Sequence, residues 1–153
     1  MEKNQFVILS SLRGNSRKNL TSMSRKTGIP VSTIFDRIKD YEKRVIKRHT
    51  SLLDFDQLGF DVMVHFILKV NNSAKEPVRD FLMRNFRVNS FFRINNGYDF
   101  MVEAVFSSMN DYQQFCDKLD STGVKKKHEY FVLKEFKRED FLTSSAGFEY
   151  AGD

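Results

Sequence analysis

The amino-acid sequence predicts an α+β fold in which a helical N-terminal third precedes a βαββαβ domain. Apolar residues recur at helical spacing in the first third and then alternate at every second residue in several later segments. The charge is asymmetric, because residues 1–50 contain twelve Lys and Arg against four Asp and Glu, whereas residues 51–153 contain thirteen against sixteen. The second part also contains two similar halves. Together these observations predict two parts with different partners.

The composition is that of a folded protein. The chain has 153 residues, of which 41% are hydrophobic and 16 are Phe, enough for a core in one average domain or two small ones. It contains no apolar run of membrane-spanning length and no secretory signal. The single cysteine, Cys116, rules out an internal disulfide and fits a reducing compartment. We therefore expect a cytoplasmic protein with no membrane partner.

Two short helices are expected at the N-terminus. Apolar residues follow helical spacing within residues 4–13, and Gly14 supplies a stop signal. Asn19 is a good N-cap for a second helix that reaches about Lys26, because its side chain can accept from free backbone N–H groups. A sharp corner must follow, since the next helical pattern begins only a few residues later.

That corner consists of Gly28, Ile29 and Pro30. Gly28 can adopt the positive φ of a sharp turn, and Pro30 lacks an N–H that the first turn of a helix does not need. The third helix then carries one apolar stripe, formed by Ile34, Ile38, Tyr41 and Val45. This arrangement predicts a helix-turn-helix.

The opposite side of the third helix is polar. It consists of Ser32, Thr33, Asp36, Arg37, Lys39 and Lys43. Short hydroxyl side chains at the start of the helix and basic side chains further along suit the base edges and phosphates of a DNA major groove. An ordinary solvated helix face is the alternative interpretation.

A basic strand is expected after the third helix. Residues 45–52 alternate with a period of two, and Lys47 and Arg48 would form a wing that rests on DNA phosphates. A winged helix-turn-helix DNA-binding domain is therefore expected at residues 1–50, and a connector at residues 51–61.

The second domain is expected at residues 62–140, with strands near residues 62–70, 92–94, 100–106 and 126–136. Between these strands, two helices carry the apolar residues Val78, Phe81, Leu82 and Phe86 and then Tyr112, Phe115, Cys116 and Leu119. Asn96-Gly97 signals a tight hairpin, and Ser108 with Asp111 predicts a capping box.

The two halves of this domain resemble each other, since residues 60–64 read FDVMV and residues 98–102 read YDFMV. Two similar βαβ halves indicate a ferredoxin-like domain, with both helices on one face of an antiparallel sheet. The other face would carry Met63, Ile67, Met101 and Val105. Such a face is too apolar for open water, so we expect a sheet-to-sheet dimer.

No feature of the sequence indicates catalysis, a cofactor or a metal. His49, His65 and His128 have no Cys, Asp or Glu at ligand spacing. A phosphate-binding glycine-rich loop, a nucleophile elbow and a Cys-x-x-Cys motif are all lacking. Cys116 lies on an apolar helical stripe, which favours a place in the core over a nucleophilic role.

A basic winged helix-turn-helix, a short connector and a βαββαβ domain together resemble the Lrp/AsnC family, also called feast/famine regulatory proteins. The resemblance extends to about Asp140. It is carried by Ile8-Leu9, Leu12, Gly28, Arg37-Ile38, Val45-Ile46-Lys47, Leu58-Gly59, Gly97-Tyr98-Asp99 and Gly123-Val124. It implies control of transcription at promoter DNA by a homodimer with intertwined N-terminal parts, often assembled into octamers. Residues 141–153 lie outside it and are expected to form a flexible tail.

The resemblance also implies an amino-acid effector at interfaces between βαββαβ domains. It places the turn Gly97-Tyr98-Asp99 there, where the Asp99 carboxylate would pair with a ligand ammonium group. Glu129 stands where the family often has Thr, and its charge favours a basic or neutral amino acid over an acidic one. A tight hairpin alone also accounts for Asn96-Gly97.

Two other functions compete with a DNA-binding regulator. One is a stand-alone amino-acid-binding module whose basic third is only a dimerisation arm. The other is a regulatory subunit that docks an enzyme, as related βαββαβ amino-acid sensors do.

Overall fold

The computed structural model describes residues 3–143 and divides into two compact units. The first unit contains the chain up to Leu52 together with the described residues from Phe136 onwards. The second unit is Leu53–Glu135. No helix among the described residues is both long enough and apolar enough to span a membrane.

Three helices form the first unit: α1 (Lys3–Gly14), α2 (Leu20–Thr27) and α3 (Val31–Arg44). Their bounds agree with the sequence prediction to within about two residues. The shared core consists of Ile8, Leu9, Met23, Ile29, Ile34 and Tyr41, with Leu12, Leu20, Ile38 and Ile46 packed against it. The apolar stripe of α3 therefore faces inward, as its spacing predicts.

The corner between α2 and α3 is fixed by local hydrogen bonds. Gly28 has a φ of 72°, and its N–H donates to the Ser24 carbonyl at 2.8 Å. The Thr27 hydroxyl donates to the Met23 carbonyl at 2.9 Å and accepts from the Ile29 N–H at 3.2 Å. At the other end of α2, the Asn19 side chain accepts from the Ser22 N–H, which confirms the expected N-cap. These bonds set the direction in which α3 leaves the turn.

The sequence prediction of a strand at residues 45–52 is wrong. The N–H groups of Val45 and Ile46 both donate to the Tyr41 carbonyl, at 2.8 and 2.7 Å, so this backbone closes the end of α3. No strand lies in the described part of the first unit to pair with the residues that follow. Val45 is half exposed and does not continue the buried stripe, whereas Ile46 packs on the core.

Residues 136–143 belong to the first unit, although the sequence assigned most of them to the second domain. Arg13, at the end of α1, donates from Nη2 to the Glu139 carbonyl at 2.7 Å and from Nε to the Phe141 carbonyl at 3.1 Å. Its guanidinium also forms an ion pair with the Glu139 carboxylate at 3.2 Å. Of the predicted flexible tail, residues 144–153 lie outside the described residues.

The second unit has the predicted βαββαβ order. Its elements are β1 (Val62–Val70), α4 (Lys75–Arg84), β2 (Val88–Arg93), β3 (Phe100–Phe106), α5 (Met109–Asp120) and β4 (Val124–Phe131), with short 3-10 helices at Asp56–Leu58 and Asn72–Ala74. The strand order is β2-β3-β1-β4, and each neighbouring pair is antiparallel. The fold is therefore ferredoxin-like.

Aromatic rings dominate the core between the sheet and the helices. The Phe115 ring on α5 lies 5.5 Å from that of Phe66 and 5.3 Å from that of Phe106, measured between centroids. Val78 and Leu82 of α4 are fully buried beside them. Phe86, predicted on the same stripe, is 77% exposed, because α4 ends at Arg84 and the chain turns before it.

Two further details differ from the sequence prediction. Strand β4 ends at Phe131 instead of residue 136, because the Val132 N–H makes the last bond to β1, at Met63. The Ser108 side chain caps α5 by accepting from the Asp111 N–H, as expected. Asp111, however, accepts from the Ser107 N–H and pairs with Arg87 instead of closing the box on Ser108.

The face of the sheet opposite the helices is partly apolar. Across this face Ile67 pairs with Met101, and Met101 pairs with Phe92, which is half exposed. Met63, Ile67 and Met101 are partly exposed, as predicted. Val105 is only 9% exposed within the single chain, so it is not open to a partner in the way that the sequence predicted.

Candidate nucleic-acid interface and effector region

One side of α3 presents the side chains that the sequence assigned to DNA. Ser32, Thr33, Arg37, Lys39 and Lys43 are all exposed. Ile34 and Tyr41 on the opposite side are buried, so the orientation of α3 in its unit is fixed by packing. Asp36 is exposed on the same side as the basic residues. The structure thus gathers five of the predicted DNA-binding residues on the second helix of a helix-turn-helix.

Lys47 and Arg48 follow α3 in an irregular segment that is tied back to that helix. Ile46 is held in the core, and His49 Nε2 lies 3.1 Å from the Glu42 carboxylate. Lys47 and Arg48 lie between these two anchors, and both are exposed. They are therefore placed next to the C-terminal end of α3 without the strand that the sequence predicted.

Phe35 is not among the DNA-binding residues that the sequence predicts. Its side chain is 46% exposed, and the Lys39 ammonium lies 4.4 Å from the centre of its ring. A sequence signal existed, because Phe35 falls outside the stripe of Ile34, Ile38 and Tyr41 that the helical spacing buries.

In the second unit, the predicted hairpin turn is present between β2 and β3. Asn96 and Gly97 have φ values of 59° and 85°, as the tight hairpin requires. The Ile94 N–H donates to the Asp99 carbonyl at 3.0 Å and closes the loop.

Asp99 is held by neighbours that the sequence did not reveal. Its carboxylate accepts from the Val70 N–H at 2.9 Å and lies 2.9 Å from Lys75 Nζ and 3.5 Å from Lys69 Nζ. The Val70 N–H above all, and then the two ammonium groups, hold the pKa of Asp99 below its ordinary value of 3.8. The carboxylate therefore joins the hairpin to the end of β1.

Tyr98 and Glu129 lie on opposite faces of the sheet. The Tyr98 hydroxyl and His128 Nε2 share a hydrogen bond of 2.8 Å, and His128 is paired with Ile67 of the open face. Glu129 is paired with Phe66 of the core and accepts from the Tyr112 hydroxyl of α5 at 2.7 Å. Within one chain, Glu129 is therefore not brought together with the hairpin.

The Glu129 carboxylate is closely surrounded. Lys127 Nζ lies 2.9 Å away, and Cys116 Sγ lies at 3.7 Å. Burial acts to raise the pKa of Glu129, but the bonds from Tyr112 and Lys127 outweigh burial and hold it below its ordinary value. Burial raises the pKa of the Cys116 thiol, which disfavours the reactive thiolate. Among residues 3–143, no group of three or more His, Cys, Asp or Glu could hold a metal ion.

Together, these features define a helix-turn-helix protein with a second, ferredoxin-like domain, and comparison with known proteins identifies its family. The Lrp/AsnC ligand binding domain matches residues 62–141, more than half of the chain. The chain therefore belongs to the Lrp/AsnC family, and it is a DNA-binding transcription regulator.

Individual relatives cover most of the chain. It is 29% identical over 136 residues to an HTH-type transcriptional regulator of Pyrococcus furiosus, covering 88% of this chain and 91% of that protein. A transcriptional regulator of Neisseria meningitidis, solved in complex with L-Met, has a TM-score of 0.84 at 24% identity, over 90% of this chain and 93% of that one. The E. coli AsnC structure has a TM-score of 0.79 at 19% identity, over 90% and 95%. These structures share the fold.

The bonds of Asp99 predict a dependence of stability on pH. Because its pKa is lowered on folding, its contribution is complete above the unfolded pKa of 3.8 and is lost as the pH falls through the folded value. We expect Asp99→Asn to lose about 1–2 kcal/mol of unfolding free energy at pH 7. The deficit should shrink below about pH 4, since protonated aspartate resembles asparagine. Urea denaturation of both proteins at several pH values measures this difference in unfolding free energy.

Asp61→Asn is the matched control, because Asp61 is the counterpart of Asp99 in the repeated FDVMV and YDFMV segments and is exposed. It should change the unfolding free energy at pH 7 by less than about 0.5 kcal/mol. A deficit of Asp99→Asn that stayed constant from neutral to acid pH would contradict this account.

Proposed function

We propose that the protein is a homodimeric regulator that binds duplex DNA in the cytoplasm through α3 and the basic segment after it, and that it is not an enzyme. The observation that carries this proposal is the exposed polar side of α3, held outward by the burial of Ile34 and Tyr41. The charge of residues 1–50 supports it, since twelve basic residues oppose four acidic ones.

The predicted DNA-binding residues fall into two roles in this proposal, base contacts and phosphate contacts. Ser32 and Thr33, at the start of α3, would contact base edges in the major groove. Arg37, Lys39 and Lys43 lie further along the helix and would contact phosphates. Lys47 and Arg48 would add phosphate contacts beyond the C-terminal end of α3.

The open face of the sheet is the proposed dimer interface. Phe92 of β2, Met101 of β3 and Ile67 of β1 form one row across this face, which ends at His128 of β4. The exposed Tyr130 of β4 lies next to this row, opposite His65. A monomer would leave this row of apolar side chains in water. A dimer would also hold two copies of α3 at the fixed separation that two half-sites of DNA require.

An amino-acid effector is the remaining part of the proposal, with Gly97 and Tyr98 as its contacts at the hairpin. Asp99 would then act chiefly by fixing the hairpin, since its carboxylate is already bound by Val70, Lys75 and Lys69. The Neisseria meningitidis relative in complex with L-Met supports an amino acid as the ligand class. Glu129 lies on the other face of the sheet, about 13 Å along β1 from the position of Asp99 at ~3.3 Å per residue.

Salt dependence tests DNA binding directly. Each phosphate contact contributes about −0.9 to the slope of log K against log salt concentration. Replacing Lys47 and Arg48 together by Ala should therefore weaken binding to all duplexes similarly and flatten the slope by up to about two. Fluorescence anisotropy with a random-sequence duplex measures both quantities.

The control removes the same charge from the second unit, through Lys118→Ala with Lys125→Ala, since both side chains are exposed there. That variant should keep the parent slope. Absence of any salt-dependent DNA binding by the parent protein would favour the stand-alone amino-acid-binding module instead.

The dimer interface is tested by a charge on the open face. Met101→Asp would bury an unpaired carboxylate between two sheets, so we expect dissociation to monomers and a large loss of DNA affinity. Met83→Asp is the matched control, because Met83 is 69% exposed on α4, on the helix side of the sheet. Light scattering that reports the parent mass for Met101→Asp would contradict this interface.

Thermal unfolding in the presence of each of the twenty amino acids tests the effector. A ligand at 100 times its Kd stabilises the folded protein by about 2.7 kcal/mol, which produces a clear upward shift in Tm. We expect a shift with a neutral or basic amino acid. The absence of a shift with all twenty would remove this part of the proposal and leave the DNA-binding part intact.

A further inference from the structure

An exposed aromatic side chain lies on the same helix as the proposed DNA contacts. Phe35, in the second turn of α3, is 46% exposed, and Val31, one turn before it on the same side, is 41% exposed. Ser32 lies beside them at the start of the helix. The helix therefore carries an apolar row next to its hydroxyl and basic side chains.

The Lys39 ammonium lies 4.4 Å from the centre of the Phe35 ring. This cation–π contact restricts the ring to the exposed side of α3, one turn N-terminal to Lys39. Lys39 also brings a positive charge next to the ring, which suits a surface that approaches a polyanion. Arg37, Lys39 and Lys43 outnumber the exposed Asp36 on this side of α3, so the surface around Phe35 carries a net positive charge that matches DNA.

We propose that Phe35 recognises the 5-methyl group of thymine in the major groove. A benzyl side chain cannot form hydrogen bonds or ion pairs with the phosphates or the polar edges of the bases. Thymine alone among the four bases places a methyl group in the major groove, which such a side chain can contact. The N-terminal turns of a helix-turn-helix recognition helix are the part that meets base edges, and Phe35 lies there. This inference rests on the proposed function and adds a base preference to it.

The experiment compares thymine with uracil, because the two differ only in that methyl group. Duplexes are first selected from a random-sequence pool with the parent protein, and each thymine of a selected duplex is then replaced in turn by uracil. At one or more positions in each half-site we expect the parent protein to lose about fourfold in affinity, the factor that corresponds to one buried methyl group.

Phe35→Ala should bind the thymine and uracil duplexes equally at those positions, and Phe35→Leu should retain part of the difference. Both variants should keep the parent salt slope, since the side chain is uncharged, and should remain folded, since Phe35 lies outside the core of the first unit. Lys43→Ala serves as a contrast, because losing a phosphate contact should weaken binding to both duplexes and preserve their ratio.

Three results would overturn the inference. They are equal affinity of the parent protein for all thymine and uracil duplexes, a thymine preference that survives in Phe35→Ala, or an oligomeric state of Phe35→Ala that differs from that of the parent protein. The last result would assign Phe35 to a contact between chains. A parent protein that binds no duplex would instead overturn the proposed function itself.

Discussion

The packing of Phe115 against Phe66 and Phe106 determines which face of the sheet in the second unit is buried. These rings, with Val78 and Leu82 of α4, fill one side of the sheet, and no described helix covers the other side. Because side chains alternate along a strand, the residues between the core positions of β1 and β3 point to the other side, where all but Val105 are at least partly exposed. The apolar character of Ile67, Met101 and Phe92 then makes association of two chains the physical solution that we propose.

In the first unit too, the packing of one side determines which side chains are exposed. One side of α3 packs into the core, so the side chains on its other side point outward. The hydrogen bonds of Thr27 and Gly28 fix the angle at which this helix leaves α2. The surface that we propose for DNA recognition therefore arises from local turn chemistry and a few buried residues, and its own side chains lie outside the core.

Much of this architecture could be predicted from the sequence because it is local or periodic. Helix caps, the Gly28 corner, the alternation of β1 and β3 and the order of elements all come from neighbouring residues. The failures concern partners distant in sequence. Alternation at residues 45–52 could not show that none of the strands in residues 3–143 pairs with them. Spacing could not show that Val105 is already covered or that Glu129 accepts a hydrogen bond from Tyr112. The hydrogen bond of Asp99 with Val70 and its ion pair with Lys75 could not be predicted from the sequence either. Only the fold shows that Asp99 joins the hairpin to the end of β1.

The bonds from Arg13 to the carbonyls of Glu139 and Phe141 have a consequence for biosynthesis. They join residues 126 and 128 positions apart, so the helix-turn-helix unit is discontinuous along the chain. During translation, α1 to α3 emerge first, yet the segment that binds the end of α1 is made only after the whole second unit. A nascent chain can thus complete its sheet domain before its N-terminal unit is closed. The helix-turn-helix unit therefore gains its last segment only after the whole second unit has been synthesised.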